Sequence, residues 1–381
     1  MKQILVVAAE NSAENYACQV VDVFTSNNSQ VRFFGVGGDK LAQKGVDIII
    51  HNKELAIVGI VEVLSSLVKL KRYMNTLVKE ALKRKTDAVL LIDYPDFNLR
   101  LAKKMKQVGI KVYYYIAPTV WAWRYSRVKT IKKYVDRLFI IFPFEIPIYK
   151  KETIPFTYTG HPLLPMVQVN QSREEFRKEL NIPQNEILVS LLPGSRKSEV
   201  GFLLATMLKA MEILNKDYRL HIVLLKADNI DKEIINQYIG ESSLDIRIVE
   251  QGNRYNLIGA SDIALTTCGT SNLELALLNV PFTAVYRVNP LSYLMGKRFV
   301  KIDLYSIVNI LAGKEVIKEW IQEAFTVENI INEMHRILNN EDVRGTMRQE
   351  FEKIREKLTE EHHPPEIIYN TIINELSGVN T

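Results

Sequence analysis

Short β-branched and apolar runs alternate with helical patterns along nearly the whole chain, and this alternation limits the possible folds more than any other feature. A parallel strand reaches its neighbour only through a crossover, usually a helix, so the pattern predicts mostly parallel sheets covered by helices on both faces. In the first half the strands read Gln3–Ala8, Val31–Val36, Ala88–Ile92, Lys111–Ile116 and Arg137–Ile141. In the second half they read Ile187–Leu192, His221–Leu225, Ile246–Val249, Ile263–Thr267 and Phe282–Tyr286. Between the two series, Thr153–Pro165 carries Pro155, Gly160, Pro162 and Pro165 and loses the periodicity, as a hinge does. From Val327 onward the chain is helical and charged, with Pro364 and Pro365 breaking it after His362 and His363 and a final helical stretch over Ile367–Leu376. The expectation is an α/β protein with two Rossmann-like doubly wound domains facing a cleft: one over 1–165, one over 166–345, and a helical tail over 346–381.

A length of 381 residues suits two such domains, and 47% hydrophobic with 24% charged residues excludes collagen-like, low-complexity and disordered classes. Lys and Arg exceed Asp and Glu by 49 to 44, a mild excess of +5 that gives no reason to expect a nucleic-acid partner. Cys18 and Cys268 are the only cysteines and lack redox or zinc spacing, so free thiols in a reducing compartment are expected. Lys2 precedes only a short apolar run, Ile4 to Ala9, which Glu10 ends; this does not read as a signal peptide. The longest apolar tract, Leu55 to Leu70, is broken by Gly59, Glu62, Ser65, Ser66 and Lys69 and falls short of the ~20 residues a bilayer span needs.

In open α/β sheets, ligands bind beyond the carboxyl ends of the strands, so the residues that follow each strand are the candidates. Ala88–Ile92 runs into Asp93-Tyr94-Pro95-Asp96-Phe97-Asn98, which puts a carboxylate at the tip of an apolar strand. Asp93 is placed to act as a general base; helix capping accounts for Asp96, and for Asp93 as well. The first strand is followed by Ala9-Glu10-Asn11-Ser12-Ala13-Glu14, where Glu10 and Ser12 face the cleft, or Ser12 caps the helix with Glu10 solvated. No G-x-G-x-x-G occurs, which removes the main support for a dinucleotide enzyme. Ile187–Leu192 leads into Pro193-Gly194-Ser195-Arg196, where close backbone approach, a helix N-terminus and a guanidinium fork suit an anion; an ordinary capped turn is the plainer alternative. Ile263–Thr267 leads into Cys268-Gly269-Thr270-Ser271-Asn272-Leu273-Glu274, a second phosphate candidate. There Glu274 is suited to a ribose, or is a plain surface residue. Two such turns in one domain point to a nucleoside diphosphate.

Two features remain. Pro118-Thr119-Val120-Trp121-Ala122-Trp123-Arg124 sets two tryptophans at the mouth of the first domain, unless they are simply core. Leu55, Val58, Ile60, Val61, Leu64, Leu67 and Val68 recur at helical spacing, followed by Lys69, Lys71, Arg72, Lys79, Lys83, Arg84 and Lys85. Apolar then basic suggests contact with anionic lipid; a buried helix with a solvated basic continuation is the alternative.

Taken together, the tip at Asp93, the doubled Trp motif, Gly194-Ser195-Arg196, Cys268-Gly269-Thr270 with Glu274, and Asn309-Ile310-Leu311-Ala312-Gly313 closely resemble the lipid-A-disaccharide synthase family. The resemblance runs from the first strand to about Gln322. It implies a GT-B glycosyltransferase that joins UDP-2,3-diacylglucosamine to 2,3-diacylglucosamine 1-phosphate, with inversion, into a β-1,6-linked disaccharide 1-phosphate and UDP. By resemblance Asp93 deprotonates the acceptor's 6-hydroxyl and Glu10 assists it. Ser195, Arg196, Thr270 and Glu274 hold UDP, with Asn309, Gln322 and Arg287 as further contacts near the donor and Ser12 on the substrate side. No metal or other cofactor is implied. The acylated substrates imply a cytoplasmic protein attached peripherally to the inner membrane, and the family's habit of exchanging C-terminal segments implies a homodimer. The family's first turn usually reads Gly-Glu-Ala-Ser-Gly-Asp, so Ala9 and Ala13 replace glycines here; a reshaped acceptor end, with altered preference or weak activity, is the expectation. Another two-domain UDP-sugar enzyme, such as a 2-epimerase or a transferase to another lipid, and a catalytically weak lipid or nucleotide binder are the alternatives.

Overall fold

The structure is a computed structural model that describes residues 1–27, 30–56, 63–228, 230–289, 293, 303–358 and 363–378. Two compact units form, Met1–Pro162 together with the C-terminal helix Pro364–Leu376, and Leu163–Leu358. The division falls inside the stretch read as a hinge.

In the first unit seven strands lie in one parallel sheet: β1 (Lys2–Ala8), β2 (Val31–Gly37), β3 (Asp47–His51), β4 (Ala88–Ile92), β5 (Lys111–Tyr115), β6 (Arg137–Ile140) and β7 (Phe156–Tyr158), ordered β3-β2-β1-β4-β5-β6-β7. Every residue of β4 is fully buried, as a central strand covered on both faces requires. In the second unit six strands form another parallel sheet: β8 (Ile187–Leu192), β9 (Leu220–Lys226), β10 (Ile246–Glu250), β11 (Ile263–Thr267), β12 (Phe282–Tyr286) and β13 (Glu319–Ile321), ordered β10-β9-β8-β11-β12-β13. Strand order reverses between β1 and β4 in one sheet and between β8 and β11 in the other. Such switch points open a crevice at the carboxyl edge, because the adjoining crossovers leave in opposite directions.

Several sequence expectations are corrected. β3, β7 and β13 are strands the sequence reading did not include, and β7 lies within the presumptive hinge. The tail expected over 346–381 is shared: Glu341–Leu358 belongs to the second unit, while Pro364–Leu376 returns to the first. Pro364 and Pro365 occupy the first turn of that last helix, where a missing N–H costs nothing, so they begin it. Both cysteines are free thiols. Of the apolar-then-basic segment, Lys53–Ala56 and Val63–Lys83 are helical. Residues 57–62, with Val58, Ile60 and Val61, lie outside the described residues. Among the described residues no helix is long and apolar enough to cross a membrane.

Candidate active site

Most of the candidates follow the strands at the two switch points, each within its own unit, while Arg287, Asn309 and Gln322 lie beside β12 and β13. In the first sheet β1 and β4 pair level at their ends, Ala8 against Ile92, so Glu10 and Asp93 leave from neighbouring strand tips. Asp93 and Tyr94 both adopt left-handed backbone, with φ of 49° and 46°. Two consecutive non-glycine residues there cost about 1–2 kcal/mol each, so the surroundings must hold them. They do. The Asp93 N–H donates to the Tyr115 carbonyl at 2.9 Å, and its own carbonyl accepts from the Tyr114 hydroxyl at 2.6 Å and the Asn98 amide at 2.7 Å. Asn98, fully buried, also donates to the Ile92 carbonyl at 3.2 Å. The tip is therefore over-determined by its backbone. Burial, and after it the Glu10 carboxylate, raises the Tyr94 hydroxyl above its ordinary value, so Glu10 and this tip share one neighbourhood.

Asp96 is not the helix cap. Its helix runs Pro95–Gln107 with Tyr94 at the N-cap, and the Asp96 carboxylate instead takes Arg124 at 2.9 Å and Arg127 at 2.7 Å. Both guanidiniums lie over the Trp123 ring, 4.4 and 4.9 Å from its centroid. Trp121 packs edge-on against Phe144 at 5.1 Å. Both tryptophans are half-buried, so neither is a fully buried core residue.

The first turn is likewise not capped by Ser12. Helix Asn11–Ser26 has extended Glu10 at its N-cap, with Ser12 half-buried in the first turn. Neither Ala9 nor Ala13 has positive φ, and both are buried, so the backbone here accommodates alanine without φ strain. Glu14, which stands where the family has Asp, is buried and accepts from the N–H groups of Gly38 at 2.9 Å and Leu41 at 3.1 Å and from the Asn52 amide at 3.0 Å. It fastens the β2 exit to the first helix.

In the second sheet the two anion candidates follow β8 and β11, the strands that flank the switch point. Gly194 has φ +113°, and a Cβ there would meet the Glu199 carboxylate at 2.5 Å, so only glycine fits. Glu199, buried in the first turn of helix Lys197–Leu214, accepts the N–H groups of Ser195 at 3.2 Å and Arg196 at 3.3 Å and the Arg196 guanidinium at 3.0 Å. The loop is thus pinned by its own carboxylate, a residue the sequence reading missed although Glu three positions after a cap is a recognised signature. Ser195 and Arg196 are exposed. After β11, Thr270 is exposed at the start of helix Thr270–Leu277, while the Ser271 hydroxyl is taken by Thr266 at 2.9 Å.

Glu274 is not a surface residue: it is 5% exposed and ion-paired with Arg254. Burial, then Glu274, raises the Tyr255 hydroxyl well above its usual range. Asn309 is fully buried and uses its entire hydrogen-bonding capacity at home. It donates to Ile317 O at 2.9 Å and Glu319 at 2.6 Å, and accepts from the N–H groups of Val316 at 2.7 Å and Ile317 at 3.0 Å. The structure gives it a positioning place beneath the turn before β13. Gln322, left-handed at φ 55°, pairs its side-chain amide with both backbone groups of Val288 at 3.3 Å, and its carbonyl accepts from Arg287 at 3.3 Å. These two residues tie the exits of β12 and β13 together.

Comparison with known proteins agrees with this architecture. The sequence profile of the lipid-A-disaccharide synthetase family matches residues 4–369. The lipid-A-disaccharide synthase of Syntrophus aciditrophicus is 39% identical over 359 residues, 94% of each chain. Among solved structures, UDP-GlcNAc 2-epimerase from Neisseria meningitidis superposes with a TM-score of 0.66 at 13% identity, covering 98% of this chain and 100% of that one. A glycosyltransferase from Rickettsia africae superposes at 0.59 and 12%, covering 100% and 99%. At that identity these likenesses concern the fold, two Rossmann-like units of GT-B type. With a family match over nearly its whole length and a relative this similar, the chain belongs to the lipid-A-disaccharide synthetase family.

Proposed function

We propose that this chain joins UDP-2,3-diacylglucosamine to 2,3-diacylglucosamine 1-phosphate, forming the β-1,6-linked disaccharide 1-phosphate and releasing UDP. The observation that carries the chemistry is the doubly left-handed tip at Asp93-Tyr94, held by Tyr114, Tyr115 and Asn98 at the switch point of the first sheet. Backbone strain of this kind persists where a side chain must be aimed. Asp93 takes the proton of the acceptor's 6-hydroxyl as that oxygen attacks the anomeric carbon, the bond to UDP breaks, and inversion follows from attack opposite the leaving group. Glu10, on the neighbouring strand tip, orients the acceptor with Ser12.

UDP leaves as an anion, and the second unit supplies groups suited to it: exposed Ser195 and Arg196 after β8 and exposed Thr270 at a helix start after β11. Glu274 contributes to the nucleoside pocket through its pair with Arg254, whereas Arg287, Asn309 and Gln322 shape the floor below. The face of helix Val63–Lys83 that bears exposed Val68 with Lys71, Arg72 and Lys79 lines a shallow depression. This face supports peripheral contact with the anionic inner leaflet, on the cytoplasmic side where the acylated substrates reside. A homodimer would exchange the C-terminal helix, Pro364–Leu376, which here belongs to the first unit of its own chain.

Purified protein incubated with both diacylated substrates should give UDP and a disaccharide phosphate of matching mass. Asp93→Asn should lower turnover by at least a thousandfold while leaving UDP binding within a few fold; persistence of product in that variant would remove Asp93 as the base. Sedimentation with vesicles should require anionic lipid and fade at high salt.

A further inference from the structure

The Trp123 cluster presents cationic capacity that its own partners do not consume. Arg127 is 8% exposed, and its guanidinium donates to a single oxygen, Asp96 Oδ1, at 2.7 Å. Arg124, an exposed residue, donates to that same oxygen at 2.9 Å. Asp96 is the only carboxylate among the described residues to pair with either, and its side chain is 65% exposed. Guanidinium forks favour two parallel bonds to a carboxylate or phosphate, but here two forks share one oxygen, so neither is engaged bidentately. One negative charge against two positive ones leaves a net cation. The Trp123 ring beneath both guanidiniums fixes their planes, and the Thr119 hydroxyl fixes the ring by accepting its N–H at 3.1 Å.

The location sharpens the meaning. Arg124 has left-handed φ of 52°, which turns the chain back after the doubled Trp motif so that Arg124 and Arg127 meet the loop after β4. Asp96 stands in the first turn of the helix that this loop enters, three residues from Asp93, and three residues of chain span at most about 10 Å. A cation of this shape thus stands within the reach of one sugar unit from the proposed base. A cluster serving only to brace the loop would close with a matched carboxylate for each guanidinium. An excess fork pair on a rigid aromatic base is suited to a tetrahedral dianion.

We propose that Arg124 and Arg127, supported by Trp123 and Asp96, form the subsite for the acceptor's anomeric phosphate and select the phosphorylated acceptor over its dephosphorylated form. The proposal rests on the glycosyltransferase reading above. It assigns these residues to specificity, since the phosphate stays bonded throughout the reaction.

The test compares affinities of the wild type and Arg124→Gln for 2,3-diacylglucosamine with and without its 1-phosphate, measured calorimetrically in mixed micelles, with disaccharide formation followed in parallel. Arg124 is chosen because it is exposed and its loss spares the fold. The wild type should prefer the phosphorylated acceptor, and Arg124→Gln should reduce that preference at least tenfold, with Arg124→Lys falling between. An unchanged preference ratio, or equal weakening toward both acceptors, would overturn the subsite. Disaccharide formation by the wild type reports separately on the reaction: its failure would strike the reading above, while the affinity ratio would still decide the role of Arg124.

Discussion

Glu145 shows how one side chain in the first unit is governed by its surroundings. It follows Phe142-Pro143-Phe144 just after β6, is 1% exposed, and accepts the N–H groups of Ile141 at 3.3 Å and Phe142 at 3.1 Å. Those two bonds favour the carboxylate, yet desolvation outweighs them and lifts the carboxyl from 4.5 to about 8. The folded protein then holds a proton there that the unfolded chain releases above pH 4.5, so stability should fall as pH rises through the interval up to about 8. Glu145→Gln preserves the acceptor oxygen and removes the titration. The variant should gain on the order of 3 kcal/mol at pH 7, with a flattened stability profile between pH 5 and 8 in urea titrations. Equal slopes for both proteins would refute this origin. At the same scale, the sequence made Asp93, Arg196 and Thr270 visible because they stand directly after apolar strands. It read Asp96 as a cap and offered capping as the alternative for Ser12, passed over the local spacing of Glu199, and missed Glu14 and Arg254, whose partners stand twenty or more positions away and leave no mark in the immediate sequence. Asn309 is the sharpest instance. Resemblance singles it out beside the donor, and only the coordinates disclose that all four of its hydrogen bonds go to residues within ten positions.

Strands and their exits were legible to the degree that burial fills them with β-branched residues. β4, β8, β11 and β12 match the reading residue for residue because they lie in sheet interiors. β7 and β13 are sheet edges of only three residues with half-buried patterns, too short to recognise, while β3, also an edge, carries Ile48-Ile49-Ile50 but is closed at both ends by Asp47 and His51. The pairing of β2 with β3 depends on an irregularity that composition does not announce. The register shifts between Gly35 and Val36, Gly35 takes φ +142°, and a Cβ there would stand 2.1 Å from the Val6 carbonyl oxygen on β1. Neither neighbour can give, because both are backbone in the middle of a sheet. Gly35→Ala should therefore cost at least about 3 kcal/mol, against the fraction of a kcal/mol expected of an alanine in a tolerant position. The loss should appear as a lowered urea midpoint and as faster amide exchange in β1 and β2 but not in β8 to β13. Unchanged exchange in β1 would show that the sheet absorbs the methyl group.

The chain leaves the first unit at Pro162, builds the second, and comes back, and the sequence carried no sign of the return beyond a pair of prolines. What secures the last helix is a set of contacts with residues more than two hundred positions earlier. Phe24 takes Tyr369 edge-on at 4.8 Å, and Ile368 and Ile372 are fully buried. At the far end Glu375 meets the starts of two adjacent strands: Lys111 of β5 at 2.9 Å, Arg137 of β6, and the Tyr113 hydroxyl at 3.0 Å. Burial alone would raise the Glu375 carboxyl, but Lys111, Arg137 and Tyr113 outweigh it and hold the group below its ordinary value. A depressed carboxyl stabilises the folded state above its unfolded value of 4.5 and loses that contribution as pH falls through its lower folded value. Glu375→Gln leaves two cations and a phenol at the sheet edge without their shared anion, at a cost of about 2 kcal/mol. The apolar contacts of Phe24, Ile368 and Ile372 remain, so the helix should not detach outright. It should open more often, seen as a tenfold or greater rise in amide exchange along Pro364–Leu376 and along the Asn11–Ser26 helix it covers. The wild type should come to match the variant as pH is lowered through the depressed folded value of Glu375, where protonation does to it what the substitution does. Exchange in both helices that ignores the substitution would mean that the apolar side of the contact alone returns the chain to its first unit.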